Sequence, residues 1–414
     1  MRALDLFSGI GAFALALEGF VETAAFCELD PDARRVLEDR MREGRLPAAP
    51  VFEDVRTLTA RELPRGINAI VGGWPCQDMS PRGLRRGLAG SRSGLFDHVV
   101  RLVRELRPRL VFLENVPNAI KLGLGTIVQA LATELGYELR WCVVPASTVG
   151  ANHVRRRAFF LAVRPGARLR FDAPSRPFRS RLGAAEPTRM VPPSTPHRTK
   201  RCQMLGNALV PDAARAAFVT LVSGFAVAPS RAALNPGPLS LRALDAAACG
   251  LRPTARAPTW GCVIGGVLHG MPAPAMLVPS LRLEFVPGAL RRAHTQEPRE
   301  GVGRSPPVRR RITAAAWATP RVGGINAGNV LTARMAGDLA TQVRFEASTP
   351  QPLRPLALDP EFVEWLMGVP RGWTRLPDGH ATREPIGYRV KRPPAAAAEQ
   401  RATSCREPPR PGPR

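Results

Sequence analysis

No two of the seven cysteines are spaced as Cys-x-x-Cys; they lie scattered at 27, 76, 142, 202, 249, 262 and 405. That pattern excludes a zinc ribbon and a disulfide scaffold, suits a reducing compartment and gives no reason to expect a metal. No continuous apolar run approaches the roughly 18 residues a bilayer span requires. A strand-like run begins at Ala3, leaving no room for a signal peptide. The expectation is a soluble, cytoplasmic protein without a membrane partner. Lysine is nearly missing, standing only at 121, 200 and 391, so the 59 basic residues are almost all arginine, set against 34 acidic ones. The resulting net charge of +25 favours a polyanionic partner, because each neutralised phosphate releases condensed counterions. A GC-rich genome also enriches Arg, Ala, Pro and Gly without selection for binding, so charge is only part of the case for nucleic acid.

What is present is an alternation of short apolar runs and helical segments from Met1 to about Val163. Ala3–Phe7, Thr23–Cys27, Asn68–Val71 and Leu110–Leu113 read as buried strands, and Gly11–Glu18, Asp32–Arg42, Leu95–Leu106 and Leu124–Leu135 as helices. That alternation predicts an α/β fold with a doubly wound, mainly parallel sheet. Leu139–Pro145 and Ala158–Val163 are two further runs, expected as a hairpin at the sheet edge. Residues 172–200 are Pro-, Arg- and Ser-rich and read as a connector, and a helix is expected over Asp212–Val222. Beyond 225 the pattern weakens, with possible strands at Trp260–Leu268 and Leu281–Val286. The tail is Pro/Arg/Ala-rich and expected to be disordered over 389–414.

Three features recur at the ends of successive strands. The run Leu4-Asp5-Leu6-Phe7-Ser8-Gly9-Ile10-Gly11 passes from strand through a glycine turn into a helix, where a ligand can approach the backbone closely. Glu28 follows the second strand, where a carboxylate can hold both hydroxyls of a ribose. Asp54, after Val51-Phe52, can accept from an adenine amino group. The sharpest signal is Gly72-Gly73-Trp74-Pro75-Cys76-Gln77, a strand running into a stiff turn that presents one thiol. Most cysteines are small buried hydrophobes. This one is followed by Glu114-Asn115-Val116 at the end of the next strand, which would bring a carboxyl beside the thiol.

The pair suits attack on a cytosine. Carbon 6 becomes electrophilic when a protonated carboxyl engages N3, and a closed apolar pocket raises a carboxyl pKa. The thiol, ordinarily with pKa about 8.5, needs nearby positive charge to ionise. Arg155 and Arg157 in Val154-Arg155-Arg156-Arg157 are the candidates, since alternate residues of an extended segment face the same way.

In this order, Asp-Leu-Phe-Ser-Gly-x-Gly, Pro-Cys-Gln, Glu-Asn-Val, Arg-x-Arg and Gly-Asn-Ala resemble the motifs of the DNA (cytosine-5)-methyltransferase family, over residues 1–224. The resemblance implies a Rossmann-like methyltransferase sheet with a smaller, irregular second domain. It also implies S-adenosyl-L-methionine as methyl donor, no metal, and double-stranded DNA as partner. By that likeness Cys76 is the nucleophile, Glu114 the N3 partner and Arg157 the residue that holds base and carboxylate. Asp5, Phe7, Gly9, Gly11, Glu28, Leu29, Asp54, Pro75, Asn207 and Ala208 would form the cofactor site. Leu29 stands where the family often has a large aromatic. The acid-free stretch Ser80–Ser93, with Arg82, Arg85, Arg86 and Arg92, resembles the loop that closes over a flipped nucleotide, its arginines set to clamp phosphates.

Three departures stand out. Asn152-His153 replaces the usual Pro-Gln before the paired arginines, and Ala12 replaces a glycine of the first motif. The third is order. Gly206-Asn207-Ala208 comes early, while Leu358-Asp359-Pro360-Glu361 and Glu364-Trp365-Leu366-Met367-Gly368-Val369-Pro370 resemble a late motif that normally precedes it. With Trp317-Ala318-Thr319-Pro320, this arrangement is similar to phage-type members. The expected organisation is a catalytic domain of 1–171 plus 201–224, a connector at 172–200, a DNA target-recognition region at 225–388 and the basic tail. A monomer suffices for the chemistry. Two other readings stay open: cytosine-5 methylation of RNA, and a DNA-binding homologue that has lost turnover.

Overall fold

The computed structural model describes residues 1–75, 94–167, 169, 171, 180–182, 184–226, 260–264, 267–270 and 356–377. Strands β1 (Arg2–Leu6), β2 (Glu22–Cys27), β3 (Val51–Phe52), β4 (Ala69–Gly73) and β5 (Leu110–Asn115) grow from the apolar runs. Strands covered on both faces carry continuous rather than alternating apolar residues. Accordingly Ala3, Leu4, Leu6, Ile70, Val111 and Leu113 are all buried. The five pair in parallel in the order β3-β2-β1-β4-β5.

Helices α1 (Ala12–Ala16), α2 (Pro31–Arg42), α3 (Gly94–Leu106) and α4 (Asn118–Ile127) cover the sheet, and α4 runs on into a π-helical stretch, Val128–Glu134. The start of α2 is written locally: the Asp30 carboxylate accepts from the amides of Asp32 and Ala33, and Pro31 occupies the first turn. Along α3, Phe96, Val99, Val100 and Val103 recur at helical spacing and are buried. α1 is shorter than the predicted Gly11–Glu18, because Gly11 is spent as a left-handed cap.

Strand order reverses between β1 and β4, with β2 and β3 laid to one side and β5 to the other. Ligands of open α/β sheets bind outside the carboxyl ends of the strands at such a reversal. Beyond β5 come β7 (Arg156–Val163) and β6 (Glu138–Pro145), both antiparallel to their neighbours. They pair as expected but do not form the sheet edge. After β8 (Met190–Val191), β9 (Gly261–Ile264) pairs with β6, and β10 (Val267–Gly270) pairs with β9, so the single strand predicted over 260–268 is a hairpin that extends the sheet to nine strands. Gly261 permits this docking, since a Cβ there would lie 2.1 Å from the Trp141 ring.

The stretch predicted as a plain connector contains β8 and the start of α5 (Arg198–Asn207), which leads to α6 (Pro211–Ala226). Near the other end of the chain, β11 (Ala357–Leu358) pairs antiparallel with β8, and α7 (Pro360–Met367), capped by Asp359, packs on α5. Proline and arginine content signals irregular backbone but not the long-range partner that orders it. The stretch Arg198–Ser223 has the length and hydropathy of a membrane span, yet 72% of that window is buried inside the protein, as in a core helix. The predicted strand Leu281–Val286, the Trp317–Pro320 motif and the 389–414 tail lie outside the described residues.

Candidate active site

The turn after β1 is held in an unusual backbone shape. Phe7, Gly9 and Gly11 have φ of +54°, +53° and +80°. A left-handed non-glycine residue costs roughly 1–2 kcal/mol and persists only when its surroundings over-determine it. Here the bracing is visible. The Ser8 amide donates to the Cys27 carbonyl at 3.1 Å, and the Ser8 hydroxyl to the Asp5 carbonyl at 2.7 Å. The Gly9 amide donates to Glu28 Oε2 at 2.7 Å, while Glu28 Oε1 accepts from the Asp30 amide at 2.8 Å. Burial raises the Glu28 pKa above its usual value, against the pull of those two amides. Leu29 is 62% exposed beside it. Asp54 is gripped by Arg56, whose Nε donates to both its oxygens, and this holds its pKa low.

Asp5 is different in kind. It is fully buried in β1, and neither carboxylate oxygen has a hydrogen-bond partner among the described residues. Burial, and the nearby Glu28 charge, raise its pKa well above the usual value. A buried polar group left unpaired costs on the order of 1–3 kcal/mol, more for a charge.

Across the strand reversal, β4 ends at Gly73 in register with Glu114 of β5. A Cβ at position 73 would stand 2.9 Å from Glu114 Oε2, so glycine there leaves the space this carboxylate uses. On the other side Glu114 faces Phe159 of β7, and Arg157, two residues along, projects from the same face of that strand. Its Nε meets Glu114 Oε1 at 2.7 Å with both side chains largely buried. Burial raises the Glu114 pKa, with Arg157 and then Arg155 opposing. Asn115 donates from Nδ2 to the Trp74 carbonyl at 3.1 Å, and Trp74 is packed between Phe96 and Phe160. The Trp-Pro turn is thus fixed from its neighbour strand up to Pro75, the exposed residue immediately before Cys76.

The two arginines part company. Arg155 is buried, and its guanidinium donates to the carbonyls of Gly206 at 2.9 Å and Ala208 at 2.6 Å, so it holds the Gly-Asn-Ala turn with Asn207 exposed at its tip. The Arg155 amide donates to His153 Nδ1 at 3.3 Å, and His153 Nε2 lies 3.0 Å from the Leu366 carbonyl of α7. A carbonyl can only accept, so the ring carries its proton on Nε2. Burial lowers the His153 pKa from 6.5 to about 4.

The profile of the C-5 cytosine-specific DNA methylase family matches residues 1–200. By that match, residues 1–200 belong to the cytosine-5 DNA methyltransferase family. Among its relatives, the type II methyltransferase M.CviJI of Paramecium bursaria Chlorella virus IL3A is 29% identical over 83% of this chain and 90% of its own length. M2.BsuMI of Bacillus subtilis is 35% identical over 39% of this chain and 42% of its own, and M.HhaI of Haemophilus parahaemolyticus 32% identical over 40% and 49%. Those two bacterial relatives are spanned for less than half their length, whereas the viral one is spanned almost throughout.

Of the residues singled out in the sequence, Asp5, Phe7, Gly9, Gly11, Glu28, Leu29 and Asp54 gather along the carboxyl ends of β1, β2 and β3. Pro75, Glu114 and Arg157 gather at the ends of β4, β5 and the start of β7. Cys76, Arg82, Arg85, Arg86 and Arg92 lie outside the described residues. Residues the sequence reading passed over include Arg201 and Trp373. Glu364 is wholly buried and accepts from Arg201, the Gly372 amide and the Thr374 amide and hydroxyl. Trp373 donates from Nε1 to the Ile10 carbonyl at 2.7 Å. Nothing local marks such partners; acids within a largely apolar helix were the one available signal.

Proposed function

We propose that this chain transfers a methyl group from S-adenosyl-L-methionine to carbon 5 of a cytosine flipped out of double-stranded DNA, through a covalent bond between Cys76 and carbon 6. The observation that carries this reading is the Glu114–Arg157 pair, set in register beside the Trp74-Pro75 turn that delivers Cys76. Glu114, its pKa raised by burial, can hold a proton for N3 of the base, and Arg157 fixes the carboxyl that does so. Proton donation to N3 draws electron density from the ring, so the Cys76 thiolate can add to carbon 6 and carbon 5 gains nucleophilic character; once carbon 5 carries the methyl, loss of its proton to a base re-forms the 5,6 double bond and expels the Cys76 thiolate.

The residues present fit the cofactor. The unpartnered Asp5 carboxylate suits a cationic ligand, the Phe7–Gly11 turn admits close approach to the backbone, and Glu28 keeps lone pairs free for sugar hydroxyls. Leu29, Asp54, Pro75, Asn207 and Ala208 would complete the surroundings. When bound, S-adenosyl-L-methionine supplies an electrophilic methyl on sulfur. Arg155 keeps the Asn207 turn in place.

Arg82, Arg85, Arg86 and Arg92 are assigned to phosphate contacts, offsetting an extrusion cost on the order of a few kcal/mol. Target reading is assigned to the 225–388 region, whose hairpin β9–β10 and segment 356–377 tie it to the catalytic sheet. A cytoplasmic monomer carries every group named. The test is transfer of labelled methyl to mixed-sequence duplex DNA, beside the Cys76→Ala variant. Label in 5-methylcytosine with the unaltered chain alone supports the reading. No transfer to duplex, or equal transfer by the variant, overturns it; label on transfer RNA instead moves the substrate to RNA.

A further inference from the structure

The backbone turn between β1 and α1 is held from the far end of the chain as well as from β2. Trp373, buried to 1% exposure, donates from its indole Nε1 to the carbonyl of Ile10 at 2.7 Å, across 363 residues of sequence. Ile10 stands between Gly9 and Gly11, two of the three left-handed positions of that turn. The indole is itself immobilised. The Arg45 guanidinium lies 4.7 Å over its ring, Arg40 of α2 donates to the adjoining Gly372 carbonyl at 3.0 Å, and Gly372 and Thr374 donate to the buried Glu364. Arg201 of α5 closes the set from the side that leads to Asn207, pairing with Glu364 at 3.1 Å.

We infer that Trp373 is a positioning residue for the cofactor turn, so that affinity for S-adenosyl-L-methionine depends on the C-terminal segment 356–377 as well as on the N-terminal motifs. The inference rests on the cofactor reading of the Phe7–Gly11 turn. Its physical basis is pre-organisation. A turn with a left-handed phenylalanine is costly to hold, and a ligand that must first order it binds more weakly by the fraction of time the turn is out of shape. The Trp373 N–H holds the turn in the ligand-ready shape before binding. It touches no reacting atom, so it acts on affinity and leaves the chemical step alone.

The second tryptophan of the segment supplies a matched control. Trp365 also donates through Nε1 at 2.7 Å, but to the Ala184 carbonyl, which is no part of the β1–α1 turn. Both Trp→Phe changes remove one indole hydrogen bond from the same segment and leave an aromatic ring in place. In the full chain, Trp373→Phe should raise the calorimetric Kd for S-adenosyl-L-methionine about tenfold, equivalent to about 1.4 kcal/mol. The rate at saturating cofactor should stay within about twofold. Trp365→Phe should leave Kd unchanged. An unaltered Kd in Trp373→Phe, or an equal rise in both variants, overturns the inference while leaving the proposed function standing. If the unaltered chain binds no S-adenosyl-L-methionine, the functional reading itself falls, and this inference with it. Should Trp373→Phe not fold, Arg40→Gln keeps the indole N–H but removes the hydrogen bond to the Gly372 carbonyl and the guanidinium 5.9 Å over the indole ring, loosening the hold on Trp373. A rise of about threefold in Kd then supports the inference, and no rise overturns it.

Discussion

Asp5 and Glu114 are two acids at the carboxyl ends of strands in one sheet, separated by β4 alone, and burial raises the pKa of both. Around Glu114 the cost of burial is answered within the protein, by Arg157 at 2.7 Å and then by Arg155, while Gly73 leaves room for its carboxylate. Around Asp5 it is not answered, since neither oxygen has a partner among the described residues. The paired acid belongs to a site assembled before anything binds. The unpaired one stores unfavourable free energy; on the proposed function a cationic ligand relieves it, and the half of the site assigned to the cofactor gains stability on binding.

The largest effect that would break this contrast falls on the paired side. Glu114→Gln should lower kcat by about 10²- to 10⁴-fold, the span of general-acid contributions, with cofactor affinity unchanged. In the unaltered protein the rate should fall as pH rises through the raised Glu114 pKa, because the protonated carboxyl is the working form. A drop in cofactor affinity of the same size would mean that the halves are not separate.

Next is His153, which ties Arg155 to α7. Its folded pKa near 4 lies below the ordinary 6.5, so the stability it contributes is complete above 6.5 and lost as pH falls toward 4. Chemical denaturation at stepped pH should show the unaltered chain losing about 3 kcal/mol more than His153→Gln over that window.

Asp5 gives the opposite slope. With its pKa raised, the folded state holds the proton more tightly, and stability declines as pH climbs above the ordinary 3.8 toward the raised value. Asp5→Asn removes that decline and should be about 2 kcal/mol more stable at pH 7, while binding S-adenosyl-L-methionine at least about tenfold more weakly. Gain of stability with loss of binding is the signature of an acid kept for a ligand; loss of both would make Asp5 purely structural. The smallest effect sharpens the paired side. Gly73→Ala would put a methyl 2.9 Å from Glu114 Oε2, and kcat should fall about tenfold with Kd unchanged.

Much of this was legible because it is local. Continuous apolar runs marked β1, β2, β4 and β5, the Asp30-Pro31 pair marked the start of α2, and strand ends carrying Asp5, Glu28, Pro75 and Glu114 converge in any doubly wound sheet. The alternation Arg155-x-Arg157 suggested a shared face, but not that Arg155 also donates to the carbonyls of Gly206 and Ala208, about fifty residues away in sequence. What the sequence by itself determined is therefore the strands of a mainly parallel sheet and the residue types at its carboxyl edge, since period and burial depend on neighbouring residues. Only the tertiary structure decided that β9 and β10 extend that sheet, that Arg155 serves the Asn207 turn, and that Glu364 and Trp373 close the N-terminal turn from the opposite end of the chain. Those outcomes depend on which distant carbonyl or guanidinium satisfies a buried polar group, and no pattern of nearby residues encodes that choice.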